Sequence, residues 1–432
     1  MIALRRQKSL SRKQKQPDGL IKRLLQYFSG LQVVDYRVII SVVFLMMFGF
    51  LMIYSATNAE SGASVVYKQI LIGGLGIAIM IILAFVDYHK IAKLAVLLYI
   101  VSLGSMFLVL FPGLGVTVNG ASRWIIIGPF RFQPSELSKP AIIILIAALM
   151  AGMVKRRKLR SLIDVVKAIL TNRFTKAIAA GVISSAVIFK ITSNLSTAII
   201  VLGITAFMLY VAFPNKIVYI LIAAGIIAAA IFAYVYYIQV IQQAHISGAD
   251  YRALRILAWL YPNDYLDNSM QSRYALYAIG FGGVLGRGLG HGVMKYYIPE
   301  AENDFIFAVI GEELGLVGCA MVLFLFIYQI WRLLVISRHA RDKLGSYLVF
   351  GVAAHVALQV LLHIAVVTSV LPNTGISLPY ISYGGTALLV QLGEIGIVLN
   401  VSKQIPGKKI VIQGMGENTV TQTGKQRKTK AA

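Results

Sequence analysis

From Val38 onward the chain alternates long apolar runs with short polar breaks. A helix crosses the hydrocarbon core of a bilayer in about 20 residues. By that measure the pattern predicts ten spans, at 38–56, 69–86, 91–111, 134–153, 177–192, 195–213, 216–239, 306–335, 346–371 and 379–402. The fifth and sixth are nearly continuous, and Pro214 closes the pair. The first apolar run is too long for a signal-peptide core and nine more follow it, so it reads as a retained helix. The expectation is an all-α polytopic membrane protein of about ten transmembrane helices, with a large extracytoplasmic loop, 240–305, between spans 7 and 8.

Composition agrees. The 432 residues are 58% hydrophobic and 13% charged, where a soluble domain carries about a quarter charged residues. The single cysteine, Cys319, lies in an apolar run and reads as a small buried hydrophobe. One cysteine excludes a disulfide within the chain and a thiolate metal cluster.

The net charge of +24 changes the picture through its placement. Residues 1–37 hold nine Lys and Arg, 154–176 hold eight and 403–432 hold seven. The base-stacking motifs of nucleic-acid modules are absent, so anionic membrane lipids, not nucleic acid, are the expected partner of this charge. Ten spans put both tails on one side, together with the loop "KRRKLR" (155–160) and the loop "SRHARDK" (337–343). The positive-inside rule makes that side the cytoplasm. The 240–305 loop carries five basic and six acidic residues and falls outside. The division is therefore a basic cytoplasmic tail, 1–37, a membrane domain, 38–403, and a cytoplasmic tail, 404–432, whose polar composition predicts disorder.

Candidate chemistry gathers on the exterior side. Residues 113–139 hold Arg123, Trp124, Arg131, Glu136 and Lys139, with Pro134 suited to a first helical turn. Glu136 and Lys139, at i and i+3, share a helix face, as a local ion pair or as a substrate contact. Lys139 lies near the bilayer boundary, where a cation can meet a phosphate. Glycines crowd 280–290 and allow close backbone approach, but "GRGLGHG" lacks the Gly-Lys-Ser/Thr ending of a nucleotide loop. The stretch Ile298–Gly315 then places five carboxylates in 18 residues at the mouth of an apolar helix. Helix capping accounts for Glu302 and Asp304. Glu312 and Glu313 lie two turns further in. At that depth ionisable groups face a bundle interior or a wet cavity, as do Glu394, His355 and His363. No His, Asp or Glu set has metal-ligand spacing.

These residues predict an outward-facing polar cavity lined by carboxylates, a lysine and an arginine. A carboxylate there can take a proton from a hydroxyl, and a cation can hold a phosphate leaving group. The residues alone leave a lipid-linked sugar enzyme and a lipid or ion transporter both open.

The motifs "MIYSAT" (52–57), "NGASRWI" (119–125), "FQPSELSK" (132–139), "QSRYALYAIGFGGVLGRGLG" (271–290), "PEAENDFIFAVIGEELG" (299–315) and "LPNTGISLPYISYGG" (371–385) lie in this order. In these the chain resembles the SEDS family, the FtsW/RodA/SpoVE proteins of bacterial cell-wall synthesis, from about Asp35 to Lys403. "QSRYALYAIG" and "VLNVS" lean towards the division or sporulation branch. The resemblance implies a peptidoglycan glycosyltransferase of the bacterial cytoplasmic membrane that polymerises lipid II into β-1,4 glycan strands and releases undecaprenyl pyrophosphate. It implies Asp304 as general base and Arg123, Glu136, Lys139, Glu300, Gln271 and Ser382 as substrate contacts. It also implies a class B penicillin-binding protein as transpeptidase partner, within the division or elongation machinery, and is compatible with a divalent cation, Mg or Mn. A lipid II flippase and a non-catalytic scaffold for the transpeptidase are the rival readings. Two positions depart from the family: "SNLSTA" (193–198) puts Asn194 where an aspartate is usual, and His363 stands where asparagine is usual.

Overall fold

The computed structural model describes residues 34–57, 62–111, 113–118, 121–127, 130–152, 172–212, 235 and 251–405. Except for residues 34–37 and 404–405, both expected tails lie outside the described residues, as do the 155–160 loop and, residue 235 apart, the seventh expected span. Among the described residues, eight helices are long and apolar enough to cross a membrane.

Helix α1 (Tyr36–Ala56) is capped by Asp35, whose carboxylate accepts from the Arg37 amide. Next comes α2 (Gly62–Phe85). The expected third span is broken: Asp87 caps a short α3 (Tyr88–Lys93), and α4 (Ala95–Phe107) follows, ending in a 3₁₀ turn at Leu108–Leu110. Helix α5 (Pro134–Ala151) opens with proline in its first turn, where a missing amide costs nothing. Helix α6 (Asn172–Val187) runs into a π-helical turn, Ile188–Thr192, and Ser193 takes φ 52°. Asn194 then caps α7 (Leu195–Ala212) by accepting from the Thr197 amide at 3.0 Å, which is why the near-continuous apolar run is two helices.

Two features depart from the expected all-helical pattern of spans and open loops. A three-stranded antiparallel sheet stands before α5: β1 (Gly115–Val118), β2 (Ala121–Ile127) and β3 (Phe130–Phe132), in register Ile125↔Phe132. The 240–305 segment contains two helices, α8 (Tyr251–Leu260) and α9 (Leu266–Gly282).

Helix α10 (Ile306–His339) is kinked at Gly315, with φ 64° and ψ −163°. The kink releases backbone groups that the glycine-rich segment takes up. Arg287 and Gly288 amides donate to the carbonyls of Glu312 and Glu313, at 3.0 and 2.9 Å. The amides of Leu316 and Val317 donate to Gly283 and Val284, at 2.9 and 3.1 Å. A Cβ on Gly315 would lie 2.4 Å from the Gly286 nitrogen. The close approach foreseen for these glycines is therefore to the chain's own helix.

Asp342 caps α11 (Lys343–Val367), and α12 (Gly385–Lys403) follows. The last expected span began at 379, but residues 379–384 are a buried loop. A polar layer ties together the start of α1, the end of α10 and the end of α12. The Asp35 amide donates to Ser402 Oγ at 3.2 Å, and the Asp35 carboxylate pairs with Arg332. Nearby, His89 bridges Asp87 and Asp342, at 2.8 and 2.6 Å. The first and last helices thus meet at one end, opposite the end where α10 begins. Outward-facing Ile40, Phe44, Met47 and Leu51 on α1 are exposed, as a lipid-facing stripe requires.

Candidate active site

Asp304 sits two residues before α10, in a turn closed by the Asn303 and Asp304 amides on the Glu300 carbonyl, at 3.0 and 3.1 Å. Glu300 adopts φ 59°, a conformation that costs a non-glycine residue energy and tends to cluster at functional sites. The loop between α11 and α12 clamps this turn. Ser382 Oγ donates to the Asn303 carbonyl at 2.7 Å, and the Tyr383 amide donates to the Glu302 carbonyl at 2.9 Å. Gly375, at φ 69°, lies so close that a Cβ there would be 3.0 Å from Asp304 Oδ2.

Asp304 faces a cavity of about 110 Å³. Strand β2 brings Arg123 and Trp124 to its wall, α5 brings Glu136 and Lys139, the start of α7 brings Asn194, and α11 brings Gln359. Lys139 Nζ donates to Glu136 Oε2 at 2.8 Å and to Gln359 Oε1 at 3.2 Å. Arg123 Nη2 donates to the Ser193 carbonyl at 2.9 Å. The i, i+3 pair of the sequence is therefore both an ion pair and part of the cavity wall.

Burial pushes the Asp304 carboxyl up, from an ordinary 3.8 to about 6, and the charge of Glu300 pushes it further; Arg255 and Arg123 oppose the rise. Burial likewise raises Glu302 and Tyr383. A carboxylate poised near neutrality, beside a space walled by an arginine and a lysine, can accept a proton from a hydroxyl while the cations meet an anion.

Asp304, Arg123, Glu136 and Lys139 are brought together as expected. Three other predicted contacts are placed differently. Glu300 is exposed and off the cavity wall, acting on Asp304 through its charge. Gln271 Oε1 accepts from Asn373 Nδ2 at 2.8 Å and steadies the Gly375 loop. Ser382 is buried, donating to Asn303 and accepting from the Leu378 amide at 2.7 Å. Gln271 and Ser382 brace the site and do not line it.

Glu312 and Glu313 face the bundle interior. Glu312 Oε1 accepts from the Val293 and Met294 amides, at 2.7 and 2.9 Å. Glu313 pairs with the buried Lys295 at 2.7 Å and accepts from Ser55 Oγ at 2.6 Å. Two contributors were missed in the sequence. Arg255 of α8 acts on Asp304 and donates to the Asn373 carbonyl at 3.3 Å. Its only signal was a cation in an amphipathic "YRALRILAWL". For Gln359 the only signal was a lone amide deep in an apolar span. Among the described residues no group of three or more His, Cys, Asp or Glu could hold a metal ion. A divalent cation carried in with a phosphate would find Asp304 as its protein ligand, because Glu136, the other carboxylate on the wall, is committed to Lys139.

Comparison with known proteins gives a consistent result. The pattern of the family described as "Cell cycle protein", covering FtsW, RodA and SpoVE, matches residues 36–406. A probable peptidoglycan glycosyltransferase FtsW from Geobacter sp. (strain M18) is 34% identical over 381 residues, 86% of this chain and 98% of that one. The stage V sporulation protein E of Bacillus subtilis (strain 168) is 33% identical over 378 residues, 85% of this chain and 97% of that one. Among solved structures, a chain from a peptidoglycan synthase complex that coordinates polymerization and crosslinking matches with TM-score 0.68 and 24% identity. That match covers 87% of this chain and 99% of the other. The rod shape determining protein RodA of Thermus thermophilus matches with TM-score 0.58 and 23% identity, over 87% of this chain and 98% of the other. At that identity the two structures establish the fold: a polytopic helical membrane protein.

Proposed function

The chain belongs to the FtsW/RodA/SpoVE family, and we propose that it is a peptidoglycan glycosyltransferase polymerising lipid II, with Asp304 as general base. The observation that carries this is the Asp304 carboxyl, raised to about 6, on the wall of a cavity shared with Lys139 and Arg123.

In this reading the acceptor's N-acetylglucosamine 4-hydroxyl gives its proton to Asp304. The freed oxygen attacks the anomeric carbon of the donor N-acetylmuramic acid from the face opposite its pyrophosphate, and the configuration inverts to a β-1,4 link. The C–O bond to pyrophosphate breaks and its electron pair leaves with undecaprenyl pyrophosphate. Lys139 and Arg123 stabilise that departing charge, and interactions that strengthen as charge develops lower the barrier. Glu136 keeps the Lys139 ammonium at the wall in a buried setting where an unpaired cation would be costly. Glu300 tunes the base. A divalent cation, if bound, would add charge neutralisation at the pyrophosphate.

The end of the bundle that carries Asp304 faces the exterior in this reading, where lipid-linked sugars lie at headgroup level. Both tails are then cytoplasmic, and a penicillin-binding protein transpeptidase is the partner that crosslinks the product. The structural relative drawn from a peptidoglycan synthase complex supports that pairing.

The test is polymerisation of labelled lipid II by the purified chain, alone and with a class B penicillin-binding protein. Glycan strands in the parent and none in Asp304→Asn is the expected result. Strands at the parental rate from Asp304→Asn would sink the assignment, and translocation of lipid II across vesicles without polymerisation would favour a flippase.

A further inference from the structure

We propose that Glu394, through His355 and Gln359, positions the Lys139 ammonium at the cavity wall. All four side chains are buried, none more than 2% exposed, and they join α5, α11 and α12. From the cavity inward, Lys139 Nζ lies 3.2 Å from Gln359 Oε1, His355 Nε2 lies 2.8 Å from the same oxygen, and His355 Nδ1 lies 2.7 Å from Glu394 Oε2.

Donor and acceptor accounting fixes the direction of this chain. Gln359 Nε2 donates to the Ser377 carbonyl at 2.9 Å, and a carbonyl can only accept. Turning the amide over would set oxygen against oxygen there and an NH₂ against the Lys139 ammonium. Gln359 Oε1 therefore faces Lys139 and His355, so His355 Nε2 carries a hydrogen. One hydrogen then joins His355 Nδ1 and Glu394 Oε2 across 2.7 Å, which holds the imidazole facing Gln359.

The amide is a poor proton carrier, so the chain sets geometry and does not conduct protons. Glu394, His355 and Gln359 are positioning residues for Lys139.

The role in catalysis rests on Lys139 meeting the pyrophosphate as proposed above, whereas the positioning itself does not. The experiment uses the full chain in lipid nanodiscs. In lipid II polymerisation Glu394→Ala should lower kcat on the order of 10- to 100-fold with little change in KM, as misplacement of a group acting in the transition state does. Glu394→Gln should recover most of that loss, because its amide keeps a hydrogen bond to His355 Nδ1. Equal impairment of the two variants, or full activity in both, overturns it. If the parent itself makes no glycan, the function reading fails. The Lys139 ammonium resonance then decides positioning, by moving in Glu394→Ala and holding in Glu394→Gln.

Discussion

Asp304 and Glu313 lie nine residues apart in one motif, yet the fold treats their carboxylates oppositely. Glu313 is buried against Lys295 and Ser55, and Glu312 receives two backbone amides and stands 3.7 Å from Arg287. These two carboxylates pin the segment 287–295 onto the kinked α10. Asp304 has the like charge of Glu300 nearby and an open cavity in front of it. A carboxylate clamped by a buried lysine or by backbone amides holds structure, while one raised by burial and a like charge beside a cavity is poised to take a proton. Partnering, not residue type or depth, separates the two halves of the motif.

The largest expected effect breaks the functional half. Asp304→Asn keeps size and capping ability but cannot accept the proton. Polymerisation should fall by about 10²–10⁴-fold, the usual contribution of a general base. Thermal unfolding in detergent should be close to the parent's, and a large drop in melting temperature would show that Asp304 is structural.

Breaking the structural half should have the reverse signature. Glu313→Ala leaves Lys295 buried and unpaired, and losing one partner of a buried pair costs about 3–5 kcal/mol. Thermal denaturation should show that loss. Glu313→Leu combined with Lys295→Met removes both charges and should recover much of it. A stable Glu313→Ala with impaired turnover would move Glu313 to the catalytic side.

The sequence could not have drawn this line. Apolar length placed α1, α5, α10 and α11 to within a few residues at most of their ends, because a bilayer demands helices there. It placed the last span six residues early, since Leu378, Tyr380 and Ile381 are apolar for burial in a loop rather than for crossing lipid. Hydropathy also passed over the sheet, whose strands are too short for a span. At the site, Asp304, Arg123, Glu136 and Lys139 were legible from motif and charge. That Gln271 and Ser382 brace loops, and that Arg255 and Gln359 contribute, depends on pairings 70 residues or more apart in the chain. No local pattern records such pairings.

A smaller effect sharpens the comparison at the point where backbone meets base. Gly375→Ala puts a Cβ 3.0 Å from Asp304 Oδ2, at φ 69°. The left-handed backbone costs an L-residue about 1–2 kcal/mol. Stability should drop by that amount, and kcat should fall as the carboxylate is displaced. The same substitution at Gly290, at φ 81°, where a Cβ meets nothing within 4 Å, should carry the backbone cost alone. Equal kcat in the two variants would show that crowding at Asp304 is immaterial.

The finest test concerns Glu300, whose charge distinguishes the environment of Asp304 from that of Glu313. Asp304 acts as a base only when ionised, so kcat/KM should rise with pH through about 6 and fall away below it. Glu300→Gln removes the neighbouring negative charge while keeping the side chain's size, so the acid limb should move to lower pH with the plateau nearly unchanged. The stability profile carries the same information with its sign fixed by linkage. The folded carboxyl holds its proton up to about 6 and the unfolded one only to about 3.8. Its contribution to stability is therefore complete below 3.8 and lost as pH rises through about 6. Glu300→Gln should weaken that loss, visible as a shallower decline in melting temperature across the interval. An acid limb unmoved in Glu300→Gln would leave burial as the main cause of the raised Asp304 and return Glu300 to the substrate contact first expected of it. A lower plateau with a higher KM would be the signature of that contact.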